Sequence, residues 1–285
     1  MYLEHFGLGE LPFAITPDTD FVYRAQSHQA AMNVVLLALD SGEGFVKVTG
    51  EVGTGKTLLS RRLLASLPDD VVSAYLLNPR LTPCGLLRAI GEELGLARRR
   101  GLDEHALYLQ LEAELMQLAA AGKRVVLCID EAQAMSVESL EALRLLSNLE
   151  TGKRKLIQTV LFGQPELDEH LAHPSNRSLV SRIAFSARLH GLHFDDFSQY
   201  LRHRLVVAGW RGPDVFSLGA RWLLWHASRG IPRLANILAH KSLMLAFGHG
   251  RHRVGLALAW AAVHDEISVA SSWGGWLRRW QGAKA

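Results

Sequence analysis

Residues 50–57, GEVGTGKT, limit what this chain can fold into more than any other part of the sequence. They match the pattern G-x-x-x-x-G-K-[ST], directly after the apolar run at residues 45–49 and before an apolar-periodic segment that continues to about Leu67. A strand, a glycine-rich loop and a helix in that order form a P-loop, whose backbone N–H groups surround a phosphate at the positive end of the helix. This context disfavours an ordinary glycine-rich turn, so the sequence predicts a nucleotide-phosphate site.

The residues of this loop have separate predicted roles. Lys56 is placed to reach the β- and γ-phosphates, and the Thr57 hydroxyl is placed to bind Mg²⁺. We expect ATP or ADP to be bound by the whole loop, which is Gly50, Glu51, Val52, Gly53, Thr54, Gly55, Lys56, Thr57 and Leu58.

A second apolar run, residues 124–130, ends in Asp130, and Glu131 follows directly to complete an acidic pair. Parallel strands end at one edge of a sheet, so these carboxylates are expected close to the P-loop. Asp130 is the expected Mg²⁺ ligand, and Glu131 is the expected general base that activates water beside the γ-phosphate. Acidic residues at a strand end are often solvated loop residues, but a P-loop in the same chain favours the chemical interpretation. The predicted reaction is ATP hydrolysis with Mg²⁺.

Apolar strands alternate with helices up to about residue 190, a pattern typical of a parallel sheet covered on both faces. The predicted strands are residues 45–49, 71–77, 124–130, 155–163 and 184–189. The first predicted helix is capped by Ser27, and the helices besides the P-loop helix are residues 27–39, 83–96, 105–121 and 136–150. The predicted fold class is therefore α/β, with a five-stranded parallel sheet flanked by helices.

Strand signals stop after about Gly191, and the pattern from there on is helical. The predicted helices of this part are residues 195–208, 217–228, 232–247 and 254–268. We therefore expect a C-terminal helical lid domain beside the α/β core. The predicted domains are residues 1–43, 44–190, 191–270 and 271–285.

Composition limits the class of protein. The 285 residues carry a formal charge of +3, which permits an anionic partner without arguing for one. Cys84 and Cys128 are far apart in apolar settings, so we expect reduced thiols rather than a disulfide or a metal site. The N-terminus lacks the pattern of a signal peptide, and the apolar runs are too short to span a bilayer. A cytoplasmic location is therefore predicted.

Three polar residues outside the P-loop and the acidic pair are further candidates for the site. Gln164 follows the fourth strand, where it would orient the attacking water or sense the γ-phosphate; an amide that caps the loop is an equal alternative. Arg182 precedes the last strand and would enter a neighbouring subunit's site as an arginine finger. Arg177 is a second candidate for that role, and the alternative for both is a solvated arginine at a helix end.

Residues 230–233, Gly-Ile-Pro-Arg, interrupt the helical pattern of the C-terminal part. Glycine ends one helix and proline starts the next, so Arg233 is held at a helix N-terminus. With the P-loop, the acidic pair, the polar strand end and the late arginine, this junction resembles those of AAA+ ATPases. The resemblance implies that Arg233 reaches the γ-phosphate as the sensor 2 arginine, and that the subunits form a nucleotide-dependent homo-oligomer such as a hexamer. The alternative is an exposed arginine at a common type of helix junction.

Longer motifs are similar to those of the ExeA/GspA-type secretion ATPases over roughly residues 1–270. They are YLEHFGLGELPFAITPDTDFVYRAQSHQAAM, DEAQ, LEALRLLSNLE, LFGQPEL and GIPRLANIL. In that family the N-terminal segment packs against adenine, which would bring Phe21, Tyr23 and His28 near the base; ordinary packing is the alternative. Its members continue into a transmembrane helix and a periplasmic peptidoglycan-binding region, which we do not expect in this chain.

The resemblance implies an ATPase that serves assembly proteins of a type IV pilus or a type II secretion system at the inner membrane. The length of the chain and its N-terminal motif are similar to those of the MshM-type ATPases of MSHA pilus biogenesis. The alternative is a DNA-associated AAA+ ATPase similar to transposition helper proteins, which basic clusters at residues 98–100, 153–155 and 249–253 would suit. A DEAD/DEAH-type helicase is disfavoured, because it would need a second series of strands and helices after Gly191, where the pattern is helical only.

The C-terminal segment combines tryptophan with arginine. It contains Trp273, Trp276, Arg278, Arg279 and Trp280. Such a composition suits peripheral contact with a membrane or docking on a partner, and packing on the lid is an equal alternative.

Overall fold

The structure is a computed structural model of the 285-residue chain. It describes residues 2–14, 21, 23, 25–97, 101–152 and 154–266. Contacts between residues group the chain into two units. His28–Leu189 form the α/β unit, whereas Met1–Ser27 and His190–Ala285 form the helical unit. The N-terminal stretch that we predicted as one segment is shared between these units, and the predicted division into four domains stays a prediction.

The α/β unit is built on a five-stranded parallel sheet, which confirms the predicted fold class. Its strands are β1 (Phe45–Gly50), β2 (Val71–Leu76), β3 (Arg124–Ile129), β6 (Gln158–Gly163) and β7 (Ile183–Leu189). Two short strands between β3 and β6 form an antiparallel hairpin, and they are β4 (Glu150–Thr151) and β5 (Arg154–Lys155). The spatial order in the sheet is β2-β3-β6-β1-β7. The strand β1, which carries the P-loop at its end, therefore lies between β6 and β7.

Helices cover both faces of this sheet, as the continuous apolar strands predicted. One face packs against α2 (Gln26–Asp40) and α3 (Lys56–Ser66). The other face packs mainly against α4 (Pro83–Glu93), α5 (Glu104–Ala120) and α6 (Val137–Leu146), with the short helices α7 (Glu166–Ala172) and α8 (Arg177–Val180). Alternate residues of β3 enter the two cores, Val125, Leu127 and Ile129 on one side and Val126 and Cys128 on the other. Every residue of β3 after Arg124 is buried as a result.

The helical unit has its own apolar core. Its helices are α1 (Tyr2–Phe6), α9 (Phe194–Val207), α10 (Leu218–Ser228), α11 (Pro232–Gly248) and α12 (Leu256–His264). Aromatic residues of the N-terminal segment are buried in this core, among them Phe6, Phe13 and Phe21. The Arg204 guanidinium lies 4.6 Å from the centre of the Phe21 ring, and its Nε donates to the Pro12 carbonyl. The predicted C-terminal helices are therefore present, and the N-terminal segment packs against them.

Some predicted boundaries are wrong. The first helix was predicted to begin at residue 27, but in the structure it begins one residue earlier, at Gln26. Ser27 therefore lies inside its first turn and is not its cap. The last begins at Leu256 rather than at residue 254, because Val254 pairs with Phe216 in a β-bridge; residues 267 and 268 lie outside the described residues. The sequence analysis also missed α1, α7, α8 and the β4–β5 hairpin, which are too short to show a hydrophobic period.

Cys84 and Cys128 are free thiols. Cys84 is partly exposed, whereas Cys128 is completely buried in β3. Burial, assisted by the charge of Asp130, raises the pKa of the Cys128 thiol to about 12. In addition, none of the helices among the described residues is long and apolar enough to cross a membrane.

The junction before α11 depends on Gly230. Arg229 and Gly230 both have positive φ, 51° and 69°, so the chain makes a left-handed turn between α10 and α11. A Cβ on Gly230 would lie 2.2 Å from the Leu192 carbonyl oxygen, and the Leu192 N–H donates to the Gly230 carbonyl at 2.8 Å. Only glycine fits this conformation without moving backbone atoms.

We predict that Gly230→Ala lowers the free energy of unfolding of the helical unit by at least about 2 kcal/mol, since it adds left-handed strain to a backbone clash. The matched control is Gly219→Ala in α10, where a Cβ would meet carbon atoms of Leu256 at 3.7 Å and 3.8 Å. That change should stabilise by about 0.5–1 kcal/mol. The tryptophans among the described residues all belong to the helical unit, and they are Trp210, Trp222, Trp225 and Trp260. Urea denaturation followed by tryptophan fluorescence therefore measures both variants.

Candidate active site

The P-loop encloses the ammonium group of Lys56. Gly55 caps α3 with a φ of 98°, and a Cβ at this position would lie 2.8 Å from Nε2 of His28. Lys56 is the first residue of α3, and its Nζ donates to the carbonyls of Gly50 at 2.6 Å and Glu51 at 3.0 Å. Lys56 as a whole is only 5% exposed. The cation is thus held inside the curve of the loop, where phosphate oxygens would replace the carbonyls.

Burial and charge act on Lys56 in opposite directions. Burial lowers the pKa of the ammonium group below its usual value, and the carboxylates of Glu131 and Asp130 raise it in opposition. A cation that has lost much of its hydration gains strongly from an anionic partner. The loop is therefore suited to a phosphate group, which would supply such a partner.

A hydrogen bond joins the P-loop helix to the end of β3. The Thr57 hydroxyl donates to Oδ2 of Asp130 at 2.7 Å, and the Tyr75 hydroxyl, on the neighbouring strand β2, donates to the same oxygen at 3.2 Å. Asp130 is fully buried. A hydroxyl and a carboxylate at this separation, beside a phosphate site, fit the oxygen ligands that Mg²⁺ takes together with substrate phosphates. The residues present thus fit the cation predicted from the sequence.

Glu131, next along the chain, has an unusual backbone conformation. Its φ and ψ are 52° and 37°, in the left-handed region, which costs a residue other than glycine about 1–2 kcal/mol. The Glu131 N–H donates to Oδ1 of Asp130 at 2.9 Å. Its carboxylate oxygen Oε2 accepts from Nε2 of Gln133 at 2.5 Å and from Nε2 of Gln164 at 2.9 Å. The structure therefore brings the predicted residues Gln164, Asp130 and Glu131 together.

His28 supports the P-loop from α2. Its Nε2 lies 2.7 Å from the Thr54 carbonyl, so this nitrogen carries the proton and donates it. His28 is buried, and its Nδ1 has no hydrogen-bond partner among the described residues. Burial lowers the pKa of His28, the hydrogen bond to Thr54 partly opposes this, and Arg62 lowers it further. His28 thus fixes the loop as a neutral ring, and its predicted contact with adenine stays a prediction.

Arg182 lies at the other end of the sheet. It precedes β7, whose start pairs with Phe45 at the start of β1, whereas the P-loop follows the end of β1. Six strand residues at about 3.3 Å each separate these two edges by roughly 20 Å. Nη1 of Arg182 is 3.5 Å from the Ser147 hydroxyl, and Arg177 is exposed in α8. Neither arginine is near the P-loop of its own chain.

Three predicted site residues belong to the helical unit, and they are Phe21, Tyr23 and Arg233. Arg233 is exposed in the first turn of α11, directly after Pro232, as the junction predicted. Tyr23 is partly buried, and its hydroxyl donates to Gln199 at 3.1 Å and to Asp196 at 3.3 Å. These contacts show that Tyr23 packs within its own unit. The roles of Arg233 at the γ-phosphate and of Tyr23 at adenine stay predictions.

The sequence analysis missed two residues that touch the acidic pair, Tyr75 and Gln133. Tyr75 was detectable as a hydroxyl-bearing residue near the end of an otherwise aliphatic strand. Gln133 follows Glu131 by two residues and was visible in the motif DEAQ, but its contact depends on the turn of residues 132–134. A sequence pattern alone does not show which way such a turn directs a side chain.

The sheet order, the P-loop on β1 and the acidic pair on β3 define a P-loop protein with the AAA fold. Consistent with this, residues 39–171 match the family described as AAA domain.

General secretion pathway protein A of Aeromonas hydrophila is a relative over nearly the whole chain. The two are 42% identical over 271 residues, which is 95% of this chain and 48% of that protein. The chain thus spans about half the length of this curated relative. The chain is therefore similar to the AAA domain family over residues 39–171 and to this secretion protein over most of its length.

Solved structures show the same fold at low identity. ORC2 of Aeropyrum pernix in its ADP form has a TM-score of 0.62 at 18% identity, covering 89% of this chain and 72% of that one. Cdc6p of Pyrobaculum aerophilum has a TM-score of 0.63 at 18% identity, covering 85% and 67%. Drosophila ORC bound to DNA has a TM-score of 0.65 at 17% identity, covering 88% and 63%. At such identities the likeness establishes the fold alone.

We predict that His28 makes stability depend on pH. Because burial lowers its pKa, the unfolded chain binds more protons at His28 once the pH falls below about 6.5, so acid favours unfolding. The melting temperature of wild type should decrease as the pH is lowered from about 7.5 to about 5.5. The melting temperature of His28→Gln should decrease less over the same pH range. His105→Gln, at an exposed position on α5, is the matched control and should follow wild type. Equal slopes for wild type and His28→Gln would contradict the assignment.

Proposed function

We propose that this chain is an AAA+ ATPase that binds and hydrolyses ATP with Mg²⁺ to drive conformational change in a secretion or pilus assembly machine. The observation that carries the proposal is the contact between the two halves of the site. The Thr57 hydroxyl and the Asp130 carboxylate are 2.7 Å apart, and Lys56 is enclosed in the adjoining loop. A phosphate site beside a pair of oxygen ligands and a second carboxylate suits phosphoryl transfer to water.

Each residue has a distinct part in the proposed reaction. Lys56 would exchange its carbonyl partners for β- and γ-phosphate oxygens and balance the charge that develops there. Thr57 and Asp130 would hold Mg²⁺, which supplies neutralisation of phosphate charge when it is bound. The Glu131 carboxylate would accept a proton from the water that attacks the γ-phosphorus. Gln164 hydrogen-bonds to Glu131, which supports a role in orienting that water or sensing the γ-phosphate.

The position of Arg182 supports the proposal that a second subunit completes the site. It is at the start of β7, at the edge of the sheet opposite the P-loop of its own chain. An arginine finger must reach the γ-phosphate, so Arg182 would act on the site of a neighbouring copy in a homo-oligomer. Arg233 would contact the γ-phosphate as sensor 2 and couple the helical unit to the nucleotide state.

The proposed partners are assembly proteins at the inner membrane. The similarity to General secretion pathway protein A supports a role with type II secretion machinery. A type IV pilus of the MSHA kind is the finer proposal, based on the resemblance of the N-terminal motif to that of MshM-type ATPases. A cytoplasmic protein, peripheral to the inner membrane, would fit either machine. The tryptophan- and arginine-rich segment proposed for membrane contact, residues 271–285, lies outside the described residues.

The alternative proposal, a DNA-associated AAA+ ATPase, receives less support. One basic cluster that would bind phosphate backbone includes Lys155, and this side chain pairs with Glu150 across the β4–β5 hairpin. The cluster at residues 98–100 lies outside the described residues. DNA-dependent stimulation of ATP hydrolysis that falls steeply with salt would favour this alternative over the secretion proposal.

We predict that Lys56→Ala loses ATP binding, because the phosphates lose their buried cation. Glu131→Gln should bind ATP normally while its turnover falls by about 10²-fold or more, because the amide does not accept the proton. Binding of a fluorescent ATP analogue and release of inorganic phosphate measure the two effects separately. Glu138→Gln, an exposed carboxylate on α6, is the control and should turn over like wild type. Normal turnover by Glu131→Gln would contradict its role as the base.

We predict that Arg182→Ala abolishes turnover but leaves ATP binding unchanged. Arg177→Ala, at the exposed neighbouring arginine, should leave both turnover and ATP binding unchanged. A finger that acts between subunits makes a further result expected. Mixing Arg182→Ala with Lys56→Ala should restore part of the activity, because an intact site of the first variant can receive the finger of the second. If the mixture stays as inactive as its components, the finger does not act between subunits.

A further inference from the structure

Gln133 uses both ends of its side-chain amide at the site. It lies in the turn of residues 132–134, directly after the end of β3. Its Nε2 donates to Oε2 of Glu131 at 2.5 Å, and its Oε1 accepts from the Gln164 backbone N–H at 3.0 Å. The side chain therefore bridges the ends of β3 and β6. Because one end must donate and the other must accept, the orientation of the amide is fixed by its partners.

The carboxylate of Glu131 is held through one oxygen. Gln133 and Gln164 both donate to Oε2. In the described part of the α/β unit, Oε1 of Glu131 makes no hydrogen bond, so this oxygen keeps its capacity to accept a proton. The backbone of Glu131 is held as well, in its left-handed conformation, by the hydrogen bond from its N–H to Asp130. A conformation of this kind persists where its surroundings determine it, and such positions cluster at active sites.

We infer that Gln133 is a positioning residue for the hydrolytic step: it aims Oε1 of Glu131 at the attacking water by holding Oε2 against the end of β6. The inference rests on the proposed function, in which Glu131 is the base. It adds to that function a residue that acts through Glu131. Glutamine suits this task because a neutral amide steadies a carboxylate without adding charge, and because its second end reaches Gln164.

Two substitutions separate the donor from the shape of the side chain. Gln133→Met keeps length and volume but loses both hydrogen bonds, so we expect kcat to fall by about 10- to 100-fold while the Kd for ATP changes by less than about two-fold. Gln133→Glu places a second carboxylate against Oε2, and repulsion should lower kcat further. Gln117→Met, at an exposed position on α5, is the matched control and should leave kcat unchanged. A Gln133→Met variant with wild-type kcat would overturn the inference.

A double-mutant cycle shows whether Gln133 acts through Glu131. In a Glu131→Gln background there is no base to aim, so Gln133→Met should change the residual rate by less than about two-fold. If Gln133 only stabilised the fold, the same substitution would lower the rate in both backgrounds by the same factor. That second result would show that the inference is wrong.

A measurement without turnover keeps this inference distinct from the proposed function. Side-chain amide NMR of wild type should show slow exchange of the Gln133 Nε2 protons with water, and Glu131→Ala should remove this protection while leaving Gln117 unchanged. Equal exchange in wild type and Glu131→Ala overturns the positioning role even in an enzyme that hydrolyses ATP. Conversely, a wild type that binds ATP and releases no phosphate refutes the proposed function, while the NMR result still decides whether Gln133 holds Glu131.

Discussion

The register of three neighbouring parallel strands creates the candidate site. Ile129 of β3 pairs with Leu161 of β6, and Gly163 of β6 pairs with Thr49 of β1, so all three strands end at one edge of the sheet. Residues that follow these strands then meet although they are far apart in sequence. The P-loop comes from β1, the acidic pair from β3 and Gln164 from β6. A shift of register by one residue would turn every side chain of a strand to its opposite face, and with it the apolar layers that cover the sheet.

The site combines rigid and strained parts. Asp130 is buried and accepts hydrogen bonds from Thr57, Tyr75 and the Glu131 backbone, so its position is fixed from three sides. Glu131, one residue later, has an energetically unfavourable left-handed backbone conformation. Asp130 and Glu131 are adjacent in sequence, and successive residues in a regular strand point to opposite faces. The left-handed conformation of Glu131 departs from strand geometry, and the carboxylates of both residues raise the pKa of Lys56.

The sequence predicted the sheet, the P-loop and the acidic pair because each is a local pattern. Apolar runs bounded by glycine or acidic residues define β1 and β3 without reference to the rest of the chain. The contacts of Tyr75 and Gln133 depend on strand order and on a single turn, which no short window contains. Ser27 shows the same limit at a boundary: its residue type suits a cap, but the helix begins at Gln26, and helix ends are the least sharply defined parts of an element. The proposed roles of Arg182 and Arg233 involve a second subunit and a nucleotide, and no local pattern in one chain encodes contacts with either.

The burial of Cys128 makes the sheet beneath the site observable by thiol chemistry. This residue lies in β3 two positions before Asp130, is fully buried, and has a thiol whose pKa is about 12. Cys84, the other thiol of the chain, is partly exposed on α4. An alkylating reagent would therefore modify Cys84 in the native protein and reach Cys128 only when β3 separates from its neighbours. The rate of the second modification would report local opening directly below the acidic pair, with no probe introduced into the protein.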